Sequence, residues 1–485
     1  MNYPHFVGPS YVSQNPIADQ EELWNFYPER MESQGATASM VLQPVPGTVL
    51  LDTAPIGPGR GHIFDTSSGR EFAVFATSFC EISSGGTITV LGTVGIDGNP
   101  ATLSSNGDGG GQIFITSGGN GYNFDLATNT LTAITALAGK ATVGAQLDGY
   151  FLCLDVPNST LWVSDLLDGT TWDPTQFTQR SIEPDPWVAM VVAYRYIYLL
   201  GARTSEIWYD AGSFPFPFAP YPSGLLQYGC AATFSATVLN GNVYWLGSGP
   251  NGDGHVLKTS GFAVQTVSTK PVQYWVGTYS VIDNAIGDAY EDDGHGFYNL
   301  TFPTANVTWS FDDDEELWHK RGYWSSFSGS YSAWRPIFHA LAFGQHRMLD
   351  LNNGGLYKLT DDSSTDVDGS VIRRVRRAPA LVFENRRLQY ASFELLMEVG
   401  NATASGQGSD PQVSLRMSND GGMTWGSEVY RSAGKRGEYL TRVRWTRLGQ
   451  ARKRAFEVIV TDPIPWRIVG AVLEMPNAPQ KVQAA

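Results

Sequence analysis

The chain has 485 residues, with 53 Gly, 27 Pro, 3 Cys, 12% aromatic and only 16% charged residues. So low a charge fraction, against roughly 25% in an average globular chain, excludes disorder, coiled coil and long amphipathic bundles. The net charge of −15 divides unevenly, with 18 Lys+Arg against 10 Asp+Glu in residues 371–485 and 14 against 37 before them. An acidic body that repels nucleic acid and a basic domain suited to an acidic partner are therefore expected.

The chain opens on a Pro-, Gln- and Asn-containing arm, residues 1–48, with one short possible helix at Asp19–Trp24. It cannot form a core alone, so it is expected to pack on the next domain or on a neighbouring subunit. From there a hairpin theme recurs, two runs of alternating apolar residues around a Gly/Asn/Asp turn. It is read at Glu71–Ser83, Gly111–Leu126, Gly149–Leu166, Tyr194–Asp210, Asn242–Thr259, His295–Asp312 and His346–Thr360. Starts roughly 40–50 residues apart match a four-stranded propeller blade. Residues 49–368 therefore read as a β-propeller of six or seven blades. The acidic stretch Asp361–Gly369 reads as a linker, and residues 369–485, with seven further strand candidates, as a basic β-sandwich or jelly roll. The fold class is all-β.

Cys80, Cys153 and Cys230 lie in apolar strand-like sequence and read as buried free thiols, consistent with folding in a reducing cytoplasm. No membrane insertion is expected: the longest apolar stretch, Trp187–Leu200, contains Arg195 and is shorter than the ~20 residues a bilayer requires. No basic–apolar–small signal pattern opens the chain, so nothing specifies secretion.

Catalytic and metal motifs are sparse. The seven histidines form no zinc-spaced pair, and neither a Gly-x-Ser-x-Gly elbow nor a Cys-x-x-Cys occurs. Gly247–Gly252 fits Gly-x-Gly-x-x-Gly but runs on into strand-like sequence, without the helix N-terminus a phosphate cradle needs. The run Asp312–Glu316 reads as a solvated hairpin turn. The series Ser364, Asp366, Asp368, Gly369 resembles an EF-hand opening, but Val375 stands at the bidentate twelfth position. No metal and no cofactor are expected.

One motif is specific. Ser418, Asp420, Gly422, Thr424 and Trp425 fit the Asp-box, in which the carboxylate caps a tight turn and the Trp packs beneath it. Sialidase-like propellers carry several such boxes. A carbohydrate-binding or glycoside-hydrolysing propeller is therefore the alternative reading, although this box stands alone and outside the propeller. The strongest charge feature is Arg373, Arg374, Arg376 and Arg377, followed by Arg442, Arg444 and Arg447 on one strand face and by Arg452 and Arg454. These read as a solvated face, as a docking surface for an acidic protein through bidentate pairing, or as phosphate contacts. Phe214, Phe216 and Phe218, alternating with Pro, read as an interface or gate loop, or as a turn packed on its own blade.

Several segments in order resemble the packaged-DNA stabilisation proteins of short-tailed bacteriophages, also called tail hub, tail accessory factor or nozzle proteins. They are Trp24–Glu29 with Pro46–Thr48, then Leu161–Gly212 with Ser164, Asp165, Pro184, Asp185, Gly201, Glu206 and Trp208, then Tyr244–Gly249, Thr308–Trp318 and Arg444–Glu474. The Gly-rich loop Ser104–Gly111 and the Phe214–Phe218 stretch depart from that pattern. The resemblance implies a non-enzymatic head–tail connector component of the virion tail, made in the host bacterial cytoplasm. It implies a homo-oligomer, a ring of six copies below the portal and adaptor that extends the DNA channel, retains the packaged genome until ejection and carries a tail spike, fibre or plug protein. Double-stranded DNA would pass through that channel without sequence-specific binding. Among the basic residues, Arg373, Arg374, Arg376, Arg377, Arg442, Arg444, Arg447, Arg452 and Arg454 are the expected inter-subunit or adaptor contacts.

Overall fold

In the computed structural model the described residues are all except 16–17, 34, 37, 181–183, 250–253, 477–482 and 485. They are almost entirely β and divide into two compact units. One comprises residues 50–306 and 335–359; the other comprises residues 1–49, 307–334 and 360–485.

The first unit is a propeller. Blade one is Gly59–Asp65, Arg70–Phe75, Ser78–Ile82 and Ile88–Thr93, an antiparallel meander. Sheets opening with Thr102–Ser105, Val143–Leu147 and Trp187–Ala193 repeat it. The fifth, around Asn242–Ser248, has five strands. Ile286–Asp292 and His295–Phe302 form the sixth repeat's hairpin within this unit, and Pro336–Ala342 opens the seventh. The inner strands of successive blades touch all the way round, and Pro336–Ala342 returns to Gly59–Asp65. The ring therefore has seven members. The seventh sheet takes its fourth strand from earlier in the chain, Gly47–Thr53, of which residues 50–53 lie in this unit. Apart from His295–Asp312, only part of which lies in this unit, each hairpin read from the sequence is a blade's middle pair of strands, where apolar side chains pack on both faces: Phe72, Phe79 and Phe124 cluster between blades one and two, Leu152, Leu161, Trp187 and Leu199 between three and four. Burying such side chains contributes roughly 1.5–3 kcal/mol each.

The second unit is a β-sandwich. One sheet runs Phe26–Arg30, Met40–Pro44, Ile468–Glu474, Ser392–Met397, Val443–Thr446. The other contains, in order, Leu317–Ser325, Gln20–Trp24, Arg374–Arg377, Lys453–Val460, Gln412–Ser418 and Val429–Ser432. Their inner faces enclose Phe6, Leu23, Phe26, Phe393, Leu415, Trp445, Phe456 and Trp466.

By compact unit, residues 1–49, 307–334 and 360–368 group with the sandwich. Two expectations are corrected here. Asp19–Trp24 contains no helix: Gln20–Trp24 is a strand, because its pairing with Arg374–Arg377 offers backbone and charge partners that a short isolated helix lacks. Asp361–Gly369 is no free linker. Thr365 accepts the Thr48 N–H at 2.8 Å, and Asp366 and Val367 are buried.

Candidate assembly surface

Strand Arg374–Arg377 lies between two strands that present carboxylates in register. Glu22 is opposite Arg377 on one side and Glu457 opposite it on the other; Arg416 then stands opposite Glu457. The ladder Glu22–Arg377–Glu457–Arg416 closes with contacts of 2.9, 2.8 and 2.5 Å. Opposite charges directly across a sheet stabilise their pairing. Lys320 adds 2.9 Å to Glu22. Burial alone would push the Glu22 carboxyl up, but the Lys320 and Arg377 charges outweigh it and hold it down at about 2.

Arg376 is fully buried and binds the chain's first residues. Its guanidinium donates to the carbonyls of Phe6 (2.6 Å), Pro9 (2.9 Å) and His5 (3.0 Å) and to Glu21 Oε2 (2.7 Å). Arg374, also buried, donates to the Val45 carbonyl at 3.1 Å, and burial pushes its guanidinium down to about 10. Arg373 lies 4.2 Å over the Trp324 ring. Arg454 is buried over Tyr390 and donates to the Leu448 carbonyl at 2.9 Å.

Apart from Arg373, half-buried over Trp324, the candidate arginines fall into two sets. Arg374, Arg376 and Arg454 are inside the sandwich, and Arg377 is committed to Glu22 and Glu457, so these four are corrected from partner contacts to internal clasps. Glu21 and Glu22, which pair with Arg376 and Arg377, come from the acidic N-terminal arm, 355 residues away, and no local pattern pairs them. Arg442, Arg444, Arg447 and Arg452 are exposed or half-exposed while Val443 and Trp445 face the core, as the strand alternation predicts. Arg442 pairs bidentately with Glu394 (2.7 and 2.5 Å), and Arg444 with Glu474 (2.6 Å). Arg447 follows the strand at φ 59°.

The Asp-box has the expected hydrogen bonds. Asp420 Oδ1 accepts from Ser418 Oγ (2.6 Å), Met423 N (2.9 Å) and Thr424 N (3.0 Å), Oδ2 accepts from Thr424 Oγ1 (2.5 Å), and Ser418 Oγ accepts from Gly422 N (2.7 Å). Gly422 sits at φ 102°, where a Cβ would also strike Gln20. Trp425, half-buried, faces the arginine ladder, with the guanidinium groups of Arg377 and Arg416 5.0 and 5.4 Å from its ring. The box thus sets a cation–π cover on the strands that hold the arm.

The Phe loop separates into parts. Phe218 is a core residue of blade four, and Phe216 packs against it and Trp208. Phe214 is 91% exposed. Only Phe214 is therefore available as an interface or gate element.

The propeller's axial cavity, about 600 Å³, is lined by inner strands through Ile63, Thr102, Ser104, Gln146, Val191, Thr237 and Phe338. Its one carboxylate is Asp65. Burial pushes that group up, but hydrogen bonds from Ser68, Ser105 and Ser67 outweigh burial and hold it below its ordinary value. A glycosidase pair needs two carboxyls, which this lining does not supply. The volume is that of a small-molecule pocket, on the order of 300–1,000 Å³. Among the described residues no group of three or more His, Cys, Asp or Glu is placed to hold a metal. Cys80, Cys153 and Cys230 are free and buried; burial pushes the Cys80 thiol up to about 12 and the Cys230 thiol up to about 11. The Gly-x-Gly-x-x-Gly stretch lies partly outside the described residues.

A propeller closed by a strand from earlier in the chain, and as a separate unit a sandwich clasped internally by arginine, define an all-β propeller-and-sandwich protein. Comparison with protein families gives two matches, "Bacteriophage P22 Gp10, beta-propeller" over residues 16–364 and "Bacteriophage P22 Gp10, beta-sandwich" over residues 373–475. The chain belongs to this family of short-tailed phage tail proteins that stabilise packaged DNA. No curated protein matches it. Among solved structures it is similar to virginiamycin B lyase from Staphylococcus aureus, at 9% identity and TM-score 0.44, over 64% of this chain and 98% of that one. YCF48 from Cyanidioschyzon merolae is similar at 12% identity and TM-score 0.41, over 64% and 98%.

Proposed function

We propose that this protein is a non-enzymatic ring component of the phage tail, six copies of which extend the DNA channel below the portal and adaptor and retain the packaged genome. The observation that carries this reading is the pair of family matches, in order, over most of the chain. Charge and shape support it. The propeller unit holds 23 Asp+Glu against 11 Lys+Arg, so where it faces the channel it would repel the duplex and keep it mobile. Its axial cavity has the volume of a small-molecule pocket, so the channel would be formed between copies, and a closed head-to-tail ring supplies such a lumen. A spike, fibre or plug would attach to the outer or lower face of that ring, and the chain would be made in the host cytoplasm before joining the virion.

The test is nuclease protection of the genome in particles assembled with and without this protein. Particles lacking it are expected to release DNA to added nuclease while complete particles stay protected; equal protection in both would remove the retention role.

A further inference from the structure

The segment Ala433–Arg442 joins strand Val429–Ser432 to strand Val443–Thr446 in the sandwich. It is a built loop. Glu438 N donates to the Lys435 carbonyl at 2.9 Å, and the Glu438 carboxylate turns back to accept the Lys435 N–H at 2.8 Å. Thr441 Oγ1 donates to the Glu438 carbonyl at 2.9 Å, and Gly437 N to the Gly400 carbonyl at 3.0 Å. Gly434 and Gly437 take φ of 86° and 87°, and a Cβ on Gly400 would come within 2.8 Å of Tyr439.

That framework holds apolar side chains in solvent: Leu440 is 96% exposed and Tyr439 67%, with Tyr430 and Val429 exposed on the preceding strand. Beside them Lys435 and Arg436 are exposed and, among the described residues, have no acidic partner, since the loop's one carboxylate is spent on its own turn. Tyr and Arg around a preorganised apolar tip are the composition of an interface hot spot, and a loop already fixed in shape loses little entropy on binding. The tip's net positive charge favours an acidic receptor. The chain supplies one, because its propeller unit carries 23 acidic against 11 basic residues.

We propose that the loop Ala433–Arg442, led by Tyr439 and Leu440, seats on the acidic propeller of a second copy of this chain. The proposal rests on the ring reading above and adds the contact that joins neighbours.

The test uses the full chain. A photo-cross-linking residue, p-benzoylphenylalanine, replaces Leu440, the assembly is irradiated, and cross-linked peptides are identified by mass spectrometry. Links from position 440 to propeller peptides of another copy are expected. A quadruple variant, Lys435→Glu, Arg436→Glu, Tyr439→Ser and Leu440→Ser, should weaken self-association by roughly 100-fold or more. Its thermal midpoint should move by no more than about 2 °C, because the altered side chains are exposed. A ring that forms with unchanged affinity in the quadruple variant, or links only to another virion protein, overturns the loop contact and leaves the ring standing. A wild-type chain that stays monomeric up to tens of micromolar (~10⁻⁵ M), alone and with its adaptor, overturns both.

Discussion

Glu22 and Arg377 stand directly opposite each other on neighbouring antiparallel strands, their charged atoms 2.9 Å apart, although most of the chain lies between them. Through this pair the chain's acidic beginning becomes an inner strand of the C-terminal sandwich. Replacing Arg377 with Ala leaves Glu22 and Glu457 facing the gap without their shared cation, and breaking a buried pair in this way costs about 3–5 kcal/mol. Arg442→Ala removes an exposed pair and should leave stability close to that of the wild type. Urea denaturation of the two variants, with limited proteolysis of residues 1–48, separates them: the arm should become protease-sensitive in the first variant alone.

Propeller closure has its own clasp. Arg347 donates to Glu71 Oε2 at 2.6 Å and to the carbonyls of Ser83 (2.9 Å) and Ser84 (2.5 Å), and His62 Nε2 lies 2.8 Å from Glu71 Oε1. The side chains of His62, Glu71 and Arg347 are fully buried, and they tie blade seven to blade one. Glu71→Gln should lower stability by about 3–5 kcal/mol, read as a drop in the denaturation midpoint. Arg347→Met together with Glu71→Leu should recover much of the loss, since an apolar pair leaves no unpaired charge behind.

Acid should weaken the junction of blades six and seven. His339 Nε2 lies 2.9 Å from His346 Nδ1, with the two imidazoles stacked and the His339 ring tilted against Tyr290. Burial, the His346 charge and the His62 charge push His339 down to about 3. An unfolded imidazole takes its proton near pH 6.5, whereas the folded one resists until about 3. The stabilising contribution is therefore complete above pH 6.5 and is lost as the pH falls from 6.5 toward 3, by at most about 1.4 kcal/mol per unit. The wild-type stability curve should consequently fall more steeply across that range than that of His339→Gln, as thermal midpoints at stepped pH will report.

The two ends of the Phe214–Phe218 stretch should behave oppositely. Phe214→Ser alters an exposed side chain and should leave the melting midpoint unchanged, while Phe218→Ala opens the core of blade four and should cost about 3–5 kcal/mol. If Phe214 is a gate or interface element, its variant should still leak DNA from otherwise stable particles, scored by nuclease sensitivity.

The propeller was legible because its middle strands are apolar on both faces, so segments such as Tyr150–Asp155 and Tyr196–Gly201 announce themselves by alternation and flanking turns. Outer and inner strands such as Phe177–Gln179 and Thr237–Leu239 are short and carry exposed or half-exposed residues, which left the blade number open until the inner strands were seen to close on seven. The Asp-box was readable because all its hydrogen bonds are local. The arginine run at 373–377 was misread as an exposed surface because its partners, Glu21, Glu22 and the carbonyls of residues 5–9, are set by long-range pairing that a local window cannot contain. The loop at 433–442 carried no periodic signal, and only its solvent exposure singles it out.

Electron microscopy of the purified full chain with its adaptor tests the central claim most directly. Closed sixfold rings, with a lumen wide enough for a duplex and not uniformly basic, are the result this account predicts. Monomers, open chains or a uniformly basic lumen would contradict it.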